Sequence, residues 1–212
     1  MMQPSSVIDL LDRPLGVLRL SLTARCNLAC PYCCPDSVEP QGLLSTSDQL
    51  RLIHAACALG VHTLRLTGGE PLLTDRLWPL LEMLSVGRAT PGHPLSRLKD
   101  LAITTNGSLL AHAKAQQLRA LGVDRITISL DAVDGESVAR MAGLRGGAEA
   151  GLALFQRVLA GIDAARAAGY DPDQGALKFN AVIQRGRNDD QLIPLARLAR
   201  QQRMELRLIE YM

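Results

Sequence analysis

The sequence predicts an α/β protein built as a partial (βα)6 TIM-like barrel. Short apolar, β-branched runs alternate with longer Ala/Leu/Arg stretches of helical period, six times over in 212 residues. Strands alternating with helices imply a parallel sheet with right-handed crossovers. Closing an eightfold barrel takes eight strands and about 250 residues, so six repeats in this length suit a barrel left open. An open doubly wound sheet is the other arrangement the alternation allows.

Each element has its own signal. GVLRLSL (16–22) reads as a strand that ends just before a cluster of cysteines. STSDQLRLIHAACALG (45–60) reads as a helix that Ser45 or Thr46 caps and Gly60 stops. VHTLRLTGG (61–69) is a second strand and DRLWPLLEML (75–84) a helix, and the Gly- and Pro-rich segment 85–97 is expected to be an exposed loop. LAITTNG (101–107) is a strand, LLAHAKAQQLRALG (109–122) a helix and DRITISLD (124–131) a fourth strand. After the glycine-rich MAGLRGGAEAG (141–151) come the helix LALFQRVLAGIDAARAAG (152–169) and the strand ALKFNAVIQ (176–184). NDDQLIPLARLARQQ (188–202) is a helix in which Pro194 marks a kink or the first turn, and MELRLIEYM (204–212) is a sixth strand. A parallel strand is ordinarily covered by a following element. The sequence therefore reads as part of a longer chain, or as a barrel completed by something else.

Composition narrows the class. Hydrophobic residues at 47% and charged residues at 21% are ordinary for a soluble globular domain. A net charge of +2 gives no ground for a nucleic acid or a membrane surface as partner. No apolar run is long enough to span a bilayer, and the N-terminus lacks the basic and apolar regions of a secretory signal. The expected location is cytoplasmic, where thiols stay reduced and clustered cysteines bind metal or do chemistry.

In barrels and open sheets alike, function gathers at the C-terminal ends of the strands. Cys26, Cys30 and Cys33 follow the first strand with the spacing C-x3-C-x2-C. Three thiolates on one short loop can hold three irons of a cubane cluster and leave the fourth open. A structural zinc would want four closed ligands, and its only nearby fourth thiol is Cys34, adjacent to Cys33 and read as a bystander. Cys57, on the apolar face of a helix, reads as a small core residue. In GGEP (68–71) the glycines allow close backbone approach to a ligand, and Glu70 offers a carboxylate to a cation. Arg19, Arg65, Lys178 and Arg207 lie inside strands, and cations facing a barrel interior need anionic partners such as the phosphates of a nucleotide.

With these residues in hand, the sequence resembles the radical S-adenosylmethionine (SAM) superfamily and, within it, the GTP 3′,8-cyclase family of molybdenum cofactor biosynthesis. The carriers are LRLSLTARCNLACPYC, LRLTGGEPLL, ITTNG, RITISLD, RVLAGIDAARAAG, KFNAVIQRGRNDDQ and LRLIEYM. The resemblance implies one radical SAM partial-barrel domain over 1–212, with a [4Fe–4S] cluster on Cys26, Cys30 and Cys33. SAM would be held by that cluster and by Tyr32, Gly69, Ser129 and Met212. GTP would be held by Arg19, Arg65, Thr104 and Lys178. The implied reaction is a lyase step in which a 5′-deoxyadenosyl radical converts GTP to (8S)-3′,8-cyclo-7,8-dihydroguanosine 5′-triphosphate, with no protein group as nucleophile. A reducing electron donor is the implied partner, and a homodimer stays open. The family's C-terminal region, with three more cysteines for a second cluster, is expected to follow Met212 and is missing from these residues.

Four other readings stand beside this one: a radical SAM enzyme acting on another substrate such as a peptide, a truncated and catalytically incomplete cyclase relative, a non-catalytic iron–sulfur or zinc module, and a phosphate-binding barrel in which the cysteines are incidental.

Overall fold

A computed structural model of the chain describes residues 7–33 and 38–211. Six strands form one sheet: β1 (Val17–Ser21), β2 (Thr63–Thr67), β3 (Asp100–Thr105), β4 (Arg125–Ser129), β5 (Leu177–Ile183) and β6 (Glu205–Glu210). They lie in sequential order, and every neighbouring pair is parallel. Sequential order without a reversal is that of a barrel wall, which decides against the doubly wound alternative.

Strand alternation explains the two faces. In TLRLT of β2, Leu64 and Leu66 are fully buried toward the helices, while Thr63, Arg65 and Thr67 point to the other face. RITIS of β4 repeats the pattern, with Ile126 and Ile128 buried between Arg125, Thr127 and Ser129. The core is thus the layer between sheet and helices, joined there by Ile53, Leu80, Leu118, Ile162 and Phe179. Every strand carries a polar residue on the lumen face, beside the apolar Ala102 and Ile209.

The helices are α1 (Thr46–Ala58), α2 (Leu77–Ala89), α3 (His112–Ala120), α4 (Gly135–Ala142), α5 (Gly147–Ala167) and α6 (Leu192–Gln201). Ser45 caps α1 by accepting from the Asp48 amide. Cys57 is fully buried on that helix, as its apolar face requires. Pro194 sits in the first turn of α6, where its missing amide breaks no helical hydrogen bond. Among the described residues no helix is long and apolar enough to cross a membrane.

Two expectations give way here. Segment 85–97 is not an exposed loop: α2 continues to Ala89, and a 3-10 turn at Pro94–Arg97 carries the fully buried Leu95. Gly87 belongs to the helix because a methyl group there would lie 2.5 Å from Leu95 Cδ1. In the glycine-rich stretch 141–151, Gly143 and Gly151 serve packing. α4 ends on Gly143, whose φ of 66° suits glycine, and α5 starts at Gly147. The two helices touch backbone to backbone, since a methyl on Gly151 would meet the Gly135 carbonyl oxygen at 1.8 Å.

Candidate active site

The loop bearing the three cysteines leaves β1 and is pinned from two sides. The amides of Gly69 and Glu70 donate to the carbonyl oxygens of Thr23 (2.7 Å) and Arg25 (2.8 Å). A methyl on Gly69 would lie 2.2 Å from the Arg25 carbonyl oxygen, so the glycine is demanded by the loop it carries. From the other side, the Ala29 amide donates to Ala142 O at the end of α4 (3.1 Å), and Gly143 leaves no space for a side chain against Ala29.

Glu70 does not offer its carboxylate to a ligand. It is fully buried and accepts from the Leu72 amide (3.0 Å), the Thr105 hydroxyl (2.8 Å) and the Asn106 amide (2.8 Å). Burial pushes its carboxyl above the usual carboxylate range, against the pull of those donors. Its work is to join the turn after β2 to the turn after β3.

Cys26 and Cys30 are half-buried and Cys33 is exposed, all as free thiols. Burial, then Asp131, then the neighbouring thiols Cys26 and Cys33 push Cys30 up to about 12. Burial also raises Cys26, whose sulfur accepts from the Leu28 amide at 3.4 Å. Tyr32, between two of the thiols, donates its hydroxyl proton to Asp131 Oδ2 just beyond β4. Asp131 Oδ1 in turn accepts from the Val182 amide on β5 (2.7 Å). Burial, followed by the Asp131 charge, raises the Tyr32 hydroxyl, which therefore stays a proton donor.

Two cavities lie near these residues. A cleft beside Cys30 and Tyr32 is walled by Ser129, Asn106 and the apolar Leu130, Val138 and Met141. A second cavity of about 170 Å³ lies in the lumen, lined by Arg19, Arg65, Arg125, Arg207, Thr104 and Thr127 among others. Asn106, just beyond β3, and Ser129, at the end of β4, line the cleft and stand two residues above Thr104 and Thr127, which line the lumen cavity; much of the rest of the cleft wall comes from α4 and α5. Arg125 pairs with Asp100 through both nitrogens it presents, but Arg65 has a buried Nε with no partner among the described residues. Burial first, then Arg125, Arg19 and Arg207, lower the Arg65 guanidinium.

The fold brings most expected site residues together: Cys26, Cys30, Cys33, Tyr32, Gly69 and Ser129 at the rim, and Arg19, Arg65 and Thr104 in the lumen. Lys178 departs from expectation. Its ammonium pairs with Glu205 on β6 and does not line the cavity. Met212 and Cys34 lie outside the described residues. Asn180 lines the lumen as well, and Arg125 and Thr127, also in its lining, were missed. Arg125 carried the same signal as Arg19 and Arg65, a cation alternating with buried aliphatics inside a strand.

A parallel partial barrel whose first strand delivers a C-x3-C-x2-C loop to the open rim defines the class. A sequence profile of the Radical SAM superfamily matches residues 20–199, and the chain belongs to that superfamily. Within it, the chain is 64% identical over 212 residues to a GTP 3′,8-cyclase of Synechococcus sp. (strain CC9902), covering 100% of this chain and 60% of the relative. A GTP 3′,8-cyclase of Ectopseudomonas mendocina (strain ymp) is 39% identical over 214 residues, covering 100% of this chain and 58% of the relative. The chain thus spans about 60% of the length of the cyclases it matches. Among solved structures, Streptococcus suis SuiB bound to S-adenosylmethionine superposes with a TM-score of 0.69 at 20% identity, over 94% of this chain and 41% of that one. Native anSMEcpe with bound AdoMet gives 0.63 at 18% identity, over 93% and 52%. These likenesses establish the shared partial-barrel fold.

Proposed function

We propose that residues 1–212 form one radical SAM domain acting as a GTP 3′,8-cyclase-like lyase in molybdenum cofactor biosynthesis. The observation that carries this reading is that Asn106 and Ser129, in a cleft beside Cys30 and Tyr32, stand two residues above Thr104 and Thr127, which line a lumen of arginines.

Cys26, Cys30 and Cys33 would hold a [4Fe–4S] cluster. The donor set fits. Three soft thiols share one loop and feel each other's charge. Bound there, the cluster and SAM supply the electron transfer and the radical chemistry, which belong to the cofactors.

The chain's own residues position and shield. Tyr32 and Ser129 flank the cleft in which an adenosine would lie, with Leu130, Val138 and Met141 excluding water. Gly69 keeps the cysteine loop in place, and Gly69 and Met212 would take the further SAM contacts that the resemblance implies. Below, Arg19, Arg65 and Thr104 would take GTP, with guanidinium forks on its phosphates. The unpartnered Arg65 Nε supports an anion in this cavity. Cytoplasmic location and a reducing electron donor complete the reading.

The test is anaerobic reconstitution with iron and sulfide, followed by SAM and dithionite. Release of 5′-deoxyadenosine together with saturable GTP binding supports the reading. Zinc or no metal, with no SAM cleavage, defeats it. SAM cleavage without GTP affinity points instead to a radical SAM enzyme for another substrate.

A further inference from the structure

The side chains of Asn106, Asn27 and Ser108 hydrogen-bond head to tail in a closed ring beside Cys26. Asn106 Nδ2 donates to Asn27 Oδ1 (2.9 Å), Asn27 Nδ2 donates to the Ser108 hydroxyl (2.9 Å), and that hydroxyl donates to Asn106 Oδ1 (2.6 Å). The Ser108 amide donates to the same Asn106 oxygen at 3.0 Å. A backbone N–H can only donate, so the carboxamide oxygen of Asn106 must face Ser108 and its nitrogen must face the cysteine loop.

A carboxamide nitrogen has a second hydrogen to give once Asn27 has taken the first. The Asn106 nitrogen stands 3.9 Å from Cys26 Sγ, the sulfur that also accepts from the Leu28 amide. The backbone beneath it is fixed. The Asn106 amide donates to the buried Glu70, and Thr105, which donates to the same carboxylate, accepts from the Gly107 amide at 3.0 Å. The turn after β3 thus aims one side-chain amide at one cysteine.

We propose that Asn106 is a positioning residue that tunes the cluster: its amide donates to the Cys26 thiolate and thereby makes the cluster easier to reduce, while Ser108 keeps the amide aimed. This inference rests on reading Cys26, Cys30 and Cys33 as the cluster ligands. Reduction brings one electron from an external reductant and adds negative charge at the ligand sulfurs. A hydrogen bond strengthens as its acceptor gains charge, so a donor on the sulfur favours the reduced state over the oxidised one. An asparagine held by its neighbours supplies that donor without moving.

Mediated redox titration of the reconstituted protein, without SAM or GTP, tests it by following the electron paramagnetic resonance of the reduced cluster, with iron assayed in parallel. At one applied potential, Asn106→Leu should lower the ratio of reduced to oxidised cluster about fivefold. Ser108→Ala keeps the backbone donor and loses the hydroxyl, and should lower the ratio about twofold. In the Asn106→Leu background Ser108→Ala should change it no further, because its route to the sulfur is the carboxamide. An iron-loaded Asn106→Leu protein with an unchanged or raised ratio overturns the proposal. So does an equal effect of Ser108→Ala in both backgrounds, which would be a general effect of polarity. Should Asn106→Leu load no cluster, Ser108→Ala decides: a lowered ratio supports the proposal, and an unchanged or raised ratio, or no cluster, overturns it. A wild-type protein that holds no cluster defeats the radical SAM reading itself, and this inference with it.

Discussion

Tyr32, on the cysteine loop, donates its hydroxyl proton to Asp131, which also accepts from the Val182 amide. A loop that leaves β1 is thereby tied across the mouth of the barrel to β4 and β5. The loop has no regular secondary structure of its own over residues 22–30, so its geometry comes from such ties.

Tyr32→Phe removes that bond and leaves half of a largely buried carboxyl unpaired. Unfolding in urea should show a loss of about 1–3 kcal/mol, the usual cost of a deserted buried acceptor. Iron should also leave the reconstituted variant faster under a chelator, because the loop would be less well held.

Glu70→Gln replaces an acceptor surrounded by donors with a group that is half donor. One amide hydrogen must then face the Leu72 or Asn106 N–H or the Thr105 hydroxyl. A loss of about 1–3 kcal/mol in a chemical melt is expected. No loss would mean that the carboxylate is not the junction described here.

Gly69→Ala places a methyl 2.2 Å from Arg25 O, where only backbone is available to move. The barrel should still fold, with far-UV dichroism preserved, while reconstituted iron falls well below that of the wild type. The substitution separates the fold from the cluster loop it supports.

Cys30→Ala should abolish both iron incorporation and SAM cleavage, whereas Cys57→Ala, in the core of α1, should leave both in place and cost stability only. Iron content by colorimetry and 5′-deoxyadenosine by chromatography read the two outcomes.

The thiol of Cys30, held up to about 12 by burial and by Asp131, is almost wholly protonated near neutral pH. A raised pKa favours the neutral thiol at every pH below it, so alkylation of the cluster-free chain by iodoacetamide should rise about tenfold per pH unit from pH 8 to 11. Mapping the alkylated peptides by mass spectrometry gives the profile for Cys30. A plateau by pH 9 would contradict the buried environment.

Much of this was legible in the sequence for a local reason. Strand alternation in TLRLT and RITIS, and the cysteine spacing, are short-range patterns that survive any packing. What escaped depended on partners far along the chain. Lys178 looked free because its partner Glu205 lies 27 residues away on the next strand. Glu70 looked available because its three donors come from the turns after β2 and β3. Helix α4 was passed over as a short glycine-flanked stretch, although Asp134, which caps it by accepting from the Ser137 amide, and Gly143 were the signals that mark its ends.

The contact between Gly135 and Gly151 has a reach beyond its two helices. α4 hands its last carbonyl to Ala29, so the depth at which the thiols ride above the sheet is inherited from how closely two outer helices can cross. That spacing is already at its minimum. A single added carbon at Gly151 would have to push α4 away, and with it the Ala142 carbonyl that holds Ala29 on the cysteine loop.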